Sequence, residues 1–157
     1  MPELPGAAAL SWREKFHGRT AEYTPPPASS GAALRSKCVF LLPETFMNLS
    51  GKSVAAAARF YKLETREILV IHDDLELPFG TSQSRPGGGL GGHNGLRSIR
   101  NSLGTADFYR LRMGIGRPER GTVPSWVLGR FAPDEEARLP AILTEAARTF
   151  LDMLQQQ

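Results

Sequence analysis

Between Ser50 and Asp74 the hydrophobic pattern changes from helical to strand-like, and this change restricts the fold more than any other feature of the chain. Across Gly51 to Leu63 the residues Val54, Ala57, Ala58 and Tyr61 recur at helical spacing, which predicts an amphipathic helix capped by Ser50 or Asn48. Soon after, Ile68-Leu69-Val70-Ile71 forms a continuous apolar run, the pattern of a strand buried on both faces, and it ends in the polar His72-Asp73-Asp74. A helix followed by a strand that feeds titratable groups predicts an α/β protein with a site at the strand's end. The rest of the chain continues the alternation. Strands are expected over Arg19 to Thr24 and Lys37 to Leu42, with a loop at Pro25-Pro26-Pro27-Ala28-Ser29-Ser30-Gly31, where three prolines remove three backbone donors. After His93-Asn94-Gly95 a helix is expected whose Leu96, Ile99 and Leu103 share a face until Gly104 stops it. Phe108 to Ile115 alternates, with Tyr109, Leu111, Met113 and Ile115 on one face and Phe108, Arg110 and Arg112 on the other; one face should pack and the other meet water or a ligand. From Pro133 onward Leu139, Ile142, Leu143, Ala146, Phe150 and Leu154 form the inner stripe of a terminal helix.

A length of 157 residues suits one domain, and 41% hydrophobic with 22% charged residues excludes wholesale disorder. No stretch approaches the ~18 apolar residues of a membrane span. The opening Met1 to Leu10 has Glu3 and two prolines where a signal peptide needs basic and apolar residues, so a cytoplasmic protein is expected. The single cysteine, Cys38, beside Val39 and Phe40, reads as a small buried hydrophobe rather than a nucleophile. Charge is uneven. From Asp134 to the end five acids face Arg138 and Arg148, a net of −3, whereas between Arg85 and Arg130 eight arginines face only Asp107 and Glu119. Forked guanidinium contacts suit phosphate, so a polyanionic partner such as nucleic acid is a candidate beside the plainer reading of a solvated basic face.

Several motifs can be weighed by their chemistry. Gly51-Lys52-Ser53 resembles the end of a phosphate loop, but Phe46 stands where that loop needs its first glycine. The run Gly87-Gly88-Gly89-Leu90-Gly91-Gly92 lacks the register and the downstream acid of a dinucleotide site. It offers positive φ angles and close backbone approach ahead of a helix N-terminus. His72, Asp73, Asp74 and His93 could form a metal set only if His93 folded back, because adjacent strand residues face opposite ways. In a hydrolytic reading Asp73 instead orients a histidine that activates water. Asn48 and Asn94, each near a helix N-terminus, offer amides for a carbonyl, peptide backbone or oxyanion, with simple helix capping as the alternative for each.

Four ordered blocks carry a specific resemblance: Thr45-Phe46-Met47-Asn48-Leu49-Ser50-Gly51-Lys52-Ser53-Val54, Ile71-His72-Asp73-Asp74-Leu75-Glu76-Leu77-Pro78-Phe79-Gly80, Gly87 to Leu96, and Tyr109 to Pro118. With these spacings the chain resembles the bacterial-type peptidyl-tRNA hydrolases from about Trp12 to its C-terminus. The resemblance implies a three-layer α/β/α sandwich with a mixed central sheet, one domain over residues 1–157, and a role in freeing tRNA from abortive translation products. It implies hydrolysis of the ester between peptide and tRNA by water, with no cofactor and no metal. The implied partner is peptidyl-tRNA, with no membrane and a monomeric protein. By the same resemblance Asp73 orients the catalytic histidine, Asn94 binds substrate near the scissile ester and belongs to the catalytic set, Phe46 and Asn48 contact substrate, and His93 adjoins the site. The family's G-L-G-N-P-G strand end and T-R-H-N motif, whose histidine is the general base, have no counterpart in these residues, and His17 aligns beyond them. The expectation is thus of a domain without its first strand and helix, with exposed strand edges and little activity, or of a non-catalytic RNA-binding relative with the same fold.

Overall fold

The computed structural model describes residues 10–24 and 37–155. The loop expected at Pro25 to Gly31 and the opening Met1 to Ala9 lie outside the described residues. The described chain gathers into two compact units, each assembled from separate stretches.

The first unit comprises residues 10–24, 37–68 and 86–109. Its sheet is antiparallel, in the order β1 (Arg13–Glu14), β2 (Gly18–Tyr23), β3 (Cys38–Pro43). Phe16 and His17, both at φ 57°, form the two-residue turn between β1 and β2, a left-handed geometry that usually selects Asn or Gly. Three contacts hold it: the buried Ser53 hydroxyl donates to the Phe16 carbonyl at 2.6 Å, the Glu44 N–H donates to the His17 carbonyl at 3.0 Å, and the Phe16 ring packs on Phe60 and Tyr61. Helix α1 (Ser50–Tyr61) packs against α2 (Asn94–Leu103) through small residues. A Cβ at Gly51 would sit 2.1 Å from the Ser98 carbonyl oxygen, so the pseudo-phosphate-loop glycine is explained by helix contact. Its N–H donates to the Ser98 hydroxyl at 2.9 Å. The expected side-chain cap on α1 is absent: a 3₁₀ turn, Met47–Leu49, leads into the helix, so Asn48 lies within that turn and the Ser50 hydroxyl donates back to the Met47 carbonyl. Gly104 ends α2 as expected, at φ 83°.

The second unit comprises residues 69–85 and 110–155. It is built on β4 (Leu69–Asp74), β5 (Ser82–Pro86) and β6 (Tyr109–Gly114), ordered β4-β6-β5. Its bonds from Tyr109 to Ile68 and from Ile115 to Asp74 advance together, so β6 runs parallel to β4; that from Gly114 to Thr81 and the one from Gly87 to Phe108 advance oppositely, so β6 is antiparallel to β5. This is the mixed sheet expected of an α/β fold. Two sequence expectations change here. Among the described residues β4 pairs only with β6 and so lies at the sheet's edge, and it is not buried on both faces: Ile71 is 56% exposed, so the face it points from is left uncovered there. β6 is not half wet, since Phe108, Arg110 and Leu111 are all buried and both of its faces are covered. Helix α3 (Val123–Val127), which the periodicity did not indicate, is followed by α4 (Pro133–Gln155). Ala146 and Phe150 are buried on α4 as expected, while Leu143 of the same stripe is exposed. No helix among the described residues is long and apolar enough to cross a membrane.

Candidate functional site

The polar end of β4 resolves into three different environments. His72 is buried, with Nδ1 2.7 Å from the Asp73 carbonyl oxygen, so this ring nitrogen donates to the backbone. Asp74 accepts from Arg112 Nε and from the Glu76 N–H, both at 2.8 Å. Burial pushes its pKa up, but the Arg112 hydrogen bond, the Glu76 N–H and the positive charges of Arg112 and His72 outweigh this and leave it below the ordinary carboxylate value. Asp73 lines a cavity of about 180 Å³ with Ile115, Trp126, Arg130, Phe131 and Glu135. The sequence does not single out Trp126 or Glu135, and Arg130 stands out there only as the end of the basic stretch. The usable signal was Thr122-Val123-Pro124-Ser125, a capped helix start with proline in the first turn; Thr122 Oγ1 accepts the Ser125 N–H at 3.3 Å.

Phe46, Asn48, His93 and Asn94 lie in the first unit, whereas Asp73 lies in the second. The 3₁₀ turn carrying Asn48 packs on α2, and a Cβ at Gly95 would lie 2.6 Å from Met47 Sδ, so the absence of a side chain there permits the approach. Phe46 is 80% exposed, and Asn48 and Asn94 are exposed beside it in sequence and on α2 respectively. His93 caps α2: its Nδ1 accepts the Gly95 N–H at 3.1 Å and the Leu96 N–H at 3.3 Å. That leaves Nε2 to carry the proton of a neutral ring. Upstream, Gly87, Gly88, Gly91 and Gly92 all have positive φ, as the glycine-dense run predicts. Among the described residues no group of three His, Cys, Asp or Glu side chains could hold a metal ion. Cys38 is half-buried rather than fully buried, and desolvation pushes its thiol pKa up, which disfavours the nucleophilic thiolate.

The arginine-rich stretch divides in the same way. Arg110 is 2% exposed, and burial, then repulsion from Arg85 and Arg112, lower its pKa against the attraction of Asp74. Arg112 binds Asp74 and Gln83, and Arg117 binds Glu76. Arg85, Arg97, Arg100, Arg120 and Arg130 remain exposed.

A family model described as peptidyl-tRNA hydrolase matches residues 6–157. The chain belongs to the peptidyl-tRNA hydrolase family. It is 47% identical over 147 residues to the peptidyl-tRNA hydrolase of Pelobacter propionicus, covering 92% of this chain and 70% of that protein. Against the peptidyl-tRNA hydrolase of Geotalea daltonii identity is 53% over 107 residues, covering 68% of this chain, and the matched region spans just over half of that relative, 56% of its length. The crystal structure of peptidyl-tRNA hydrolase from Acinetobacter baumannii superposes with a TM-score of 0.76 at 32% identity, covering 97% of this chain and 72% of that one. These similarities establish an α/β fold of this family.

Proposed function

We propose that this chain acts on peptidyl-tRNA, hydrolysing the ester between peptide and terminal ribose. The single observation that carries the reading is the half-buried Asp73 at the end of β4, which lines a cavity. A carboxylate so placed can orient an imidazole and stabilise its protonated form as water attacks; by the family resemblance that imidazole is the histidine of the T-R-H-N motif, which these residues do not include. Asn94 would bind substrate near the ester, Phe46 and Asn48 would contact it, and His93 would adjoin it while capping α2. The protein would work as a cytoplasmic monomer, with residues 1–157 as one domain and no cofactor.

A second reading, non-catalytic RNA binding on the same fold, is favoured by the structural use of His93 Nδ1 and His72 Nδ1. Release of peptide from an N-acetylaminoacyl-tRNA separates the two. In a version of the protein that also carries the histidine motif, turnover that falls about 10²–10⁴-fold in Asp73→Asn, with tRNA affinity retained, supports hydrolysis. Unchanged turnover in Asp73→Asn removes the role assigned to Asp73, and binding without turnover in either protein supports the second reading.

A further inference from the structure

The two asparagines assigned to substrate stand on different elements, Asn48 in the 3₁₀ turn Met47–Leu49 and Asn94 at the start of α2, so one must be fixed relative to the other. The turn holds itself by local bonds only: the Leu49 N–H donates to the Phe46 carbonyl at 2.8 Å, and the Ser50 hydroxyl to the Met47 carbonyl at 2.9 Å. Nor does α1 supply a cap of its own. Its N-cap position is Leu49, which has no side-chain acceptor, so the first N–H groups of the helix need partners from outside it. One comes from α2, where the half-buried Ser98 accepts the Gly51 N–H on its hydroxyl at 2.9 Å.

Close packing surrounds this bond. A Cβ on Gly51 would lie 2.1 Å from the Ser98 carbonyl oxygen, and one on Gly95 would lie 2.6 Å from Met47 Sδ and 2.9 Å from His93 Cε1. The segment carrying Asn48 therefore meets α2 at two points, one on each side of Asn48 in sequence. Ser98 lies four residues after Asn94, one turn along the same face of α2. Packing limits how near two elements come, but only a directional bond opposes the sliding of one past the other. We propose that Ser98 is a positioning residue: by accepting the Gly51 N–H from α2 it registers Asn48 against Asn94, so that both amides meet the peptide end of one substrate. Ser98 acts through Asn48 and not by touching the substrate. The proposal deepens, and rests on, the reading that Asn48 and Asn94 bind substrate.

Binding tests this without turnover. The full-length chain is titrated with an N-acetylaminoacyl-tRNA whose ester is replaced by an amide, and with the same tRNA lacking the acyl group. Ser98→Ala should raise the Kd for the acylated tRNA about three- to tenfold, the span of one neutral hydrogen bond, and that for bare tRNA less than about 1.5-fold. Ser98→Thr, which keeps the hydroxyl, should restore the acylated affinity. In an Asn48→Ala background Ser98→Ala should add no further loss, because the group it positions is gone. Thermal melts of each variant establish that it is folded. Equal losses for acylated and bare tRNA, or an undiminished loss in the Asn48→Ala background, would overturn the proposal and leave Ser98 as a packing residue between helices. So would wild-type binding by Ser98→Ala where Asn48→Ala weakens the acylated tRNA. Unaltered acylated affinity in Asn48→Ala itself would instead remove the substrate reading of Asn48, and the proposal with it.

Discussion

Two side chains show how position decides chemistry. Asp74 and Arg112 are 14% and 16% exposed and meet at 2.8 Å, so each depends on the other for its solvation. Removing one partner of such a pair leaves the other buried and uncompensated, and Asp74→Asn is expected to cost about 1.5–3 kcal/mol in a thermal or denaturant melt. Because the folded pKa of Asp74 is lowered, its contribution is fully present above the ordinary carboxylate value near ~3.9 and is lost as pH falls through the lower folded value. Wild type should therefore lose stability in acid more steeply than Asp74→Asn; parallel acid melts would refute the coupling. His93 tests a different division of labour. His93→Ala removes an N-cap and should cost about 0.5–2 kcal/mol, whereas Asn, itself a good cap, should restore most of that loss. If His93→Asn keeps the melt but abolishes ester hydrolysis, His93 is the base rather than a capping neighbour. The sequence singles out His93 and Asp73 as candidates, but the commitment of His93 Nδ1 to two backbone N–H groups is not legible there, because it depends on the local path of the glycine loop.

At the scale of elements, the α1–α2 contact is set by small residues. A methyl at position 51 would meet the Ser98 backbone rather than a movable side-chain tip, so the helices must separate to admit it. Gly51→Ala is therefore expected to cost about 1–3 kcal/mol in a denaturant melt, and a loss below about 0.5 kcal/mol would show that the contact yields easily. Helix periods and stops were readable from Leu96, Ile99 and Gly104 because they depend on neighbours within one or two turns. The caps at Ser50 and Asn48 were misassigned because a 3₁₀ turn precedes α1, and short capped α3 was missed because five residues carry too little periodicity. β6 was misjudged for another reason: alternation reports two faces but not what covers each, and here Arg110 is covered as well as Leu111.

For the molecule as a whole, the net positive charge is partitioned in space differently from its partition along the chain. The first unit's described residues hold ten Lys and Arg against six Asp and Glu, and the second unit's hold eight against nine. Binding of tRNA should weaken steeply between ~50 and ~200 mM salt as condensed counterions are released. Reversing exposed Arg97 to Glu should reduce the salt slope by about one phosphate contact without unfolding the protein. Arg110→Glu should instead destabilise it, because the change would bury a new charge. Salt-independent binding, or an unaltered slope in Arg97→Glu, would exclude this face. The sequence by itself determined the α/β class, the strand ending in His72-Asp73-Asp74, the glycine-dense approach to α2 and the family's ordered motifs, since these depend on residue type at short separations. Tertiary structure alone decided that β4 lies at an edge among the described residues, that Arg110 is buried and Arg112 paired, and that Trp126, Arg130 and Glu135 line one cavity with Asp73. Those outcomes depend on which segments distant in sequence cover each surface, and burial, ion pairing and cavity shape arise only once those segments meet.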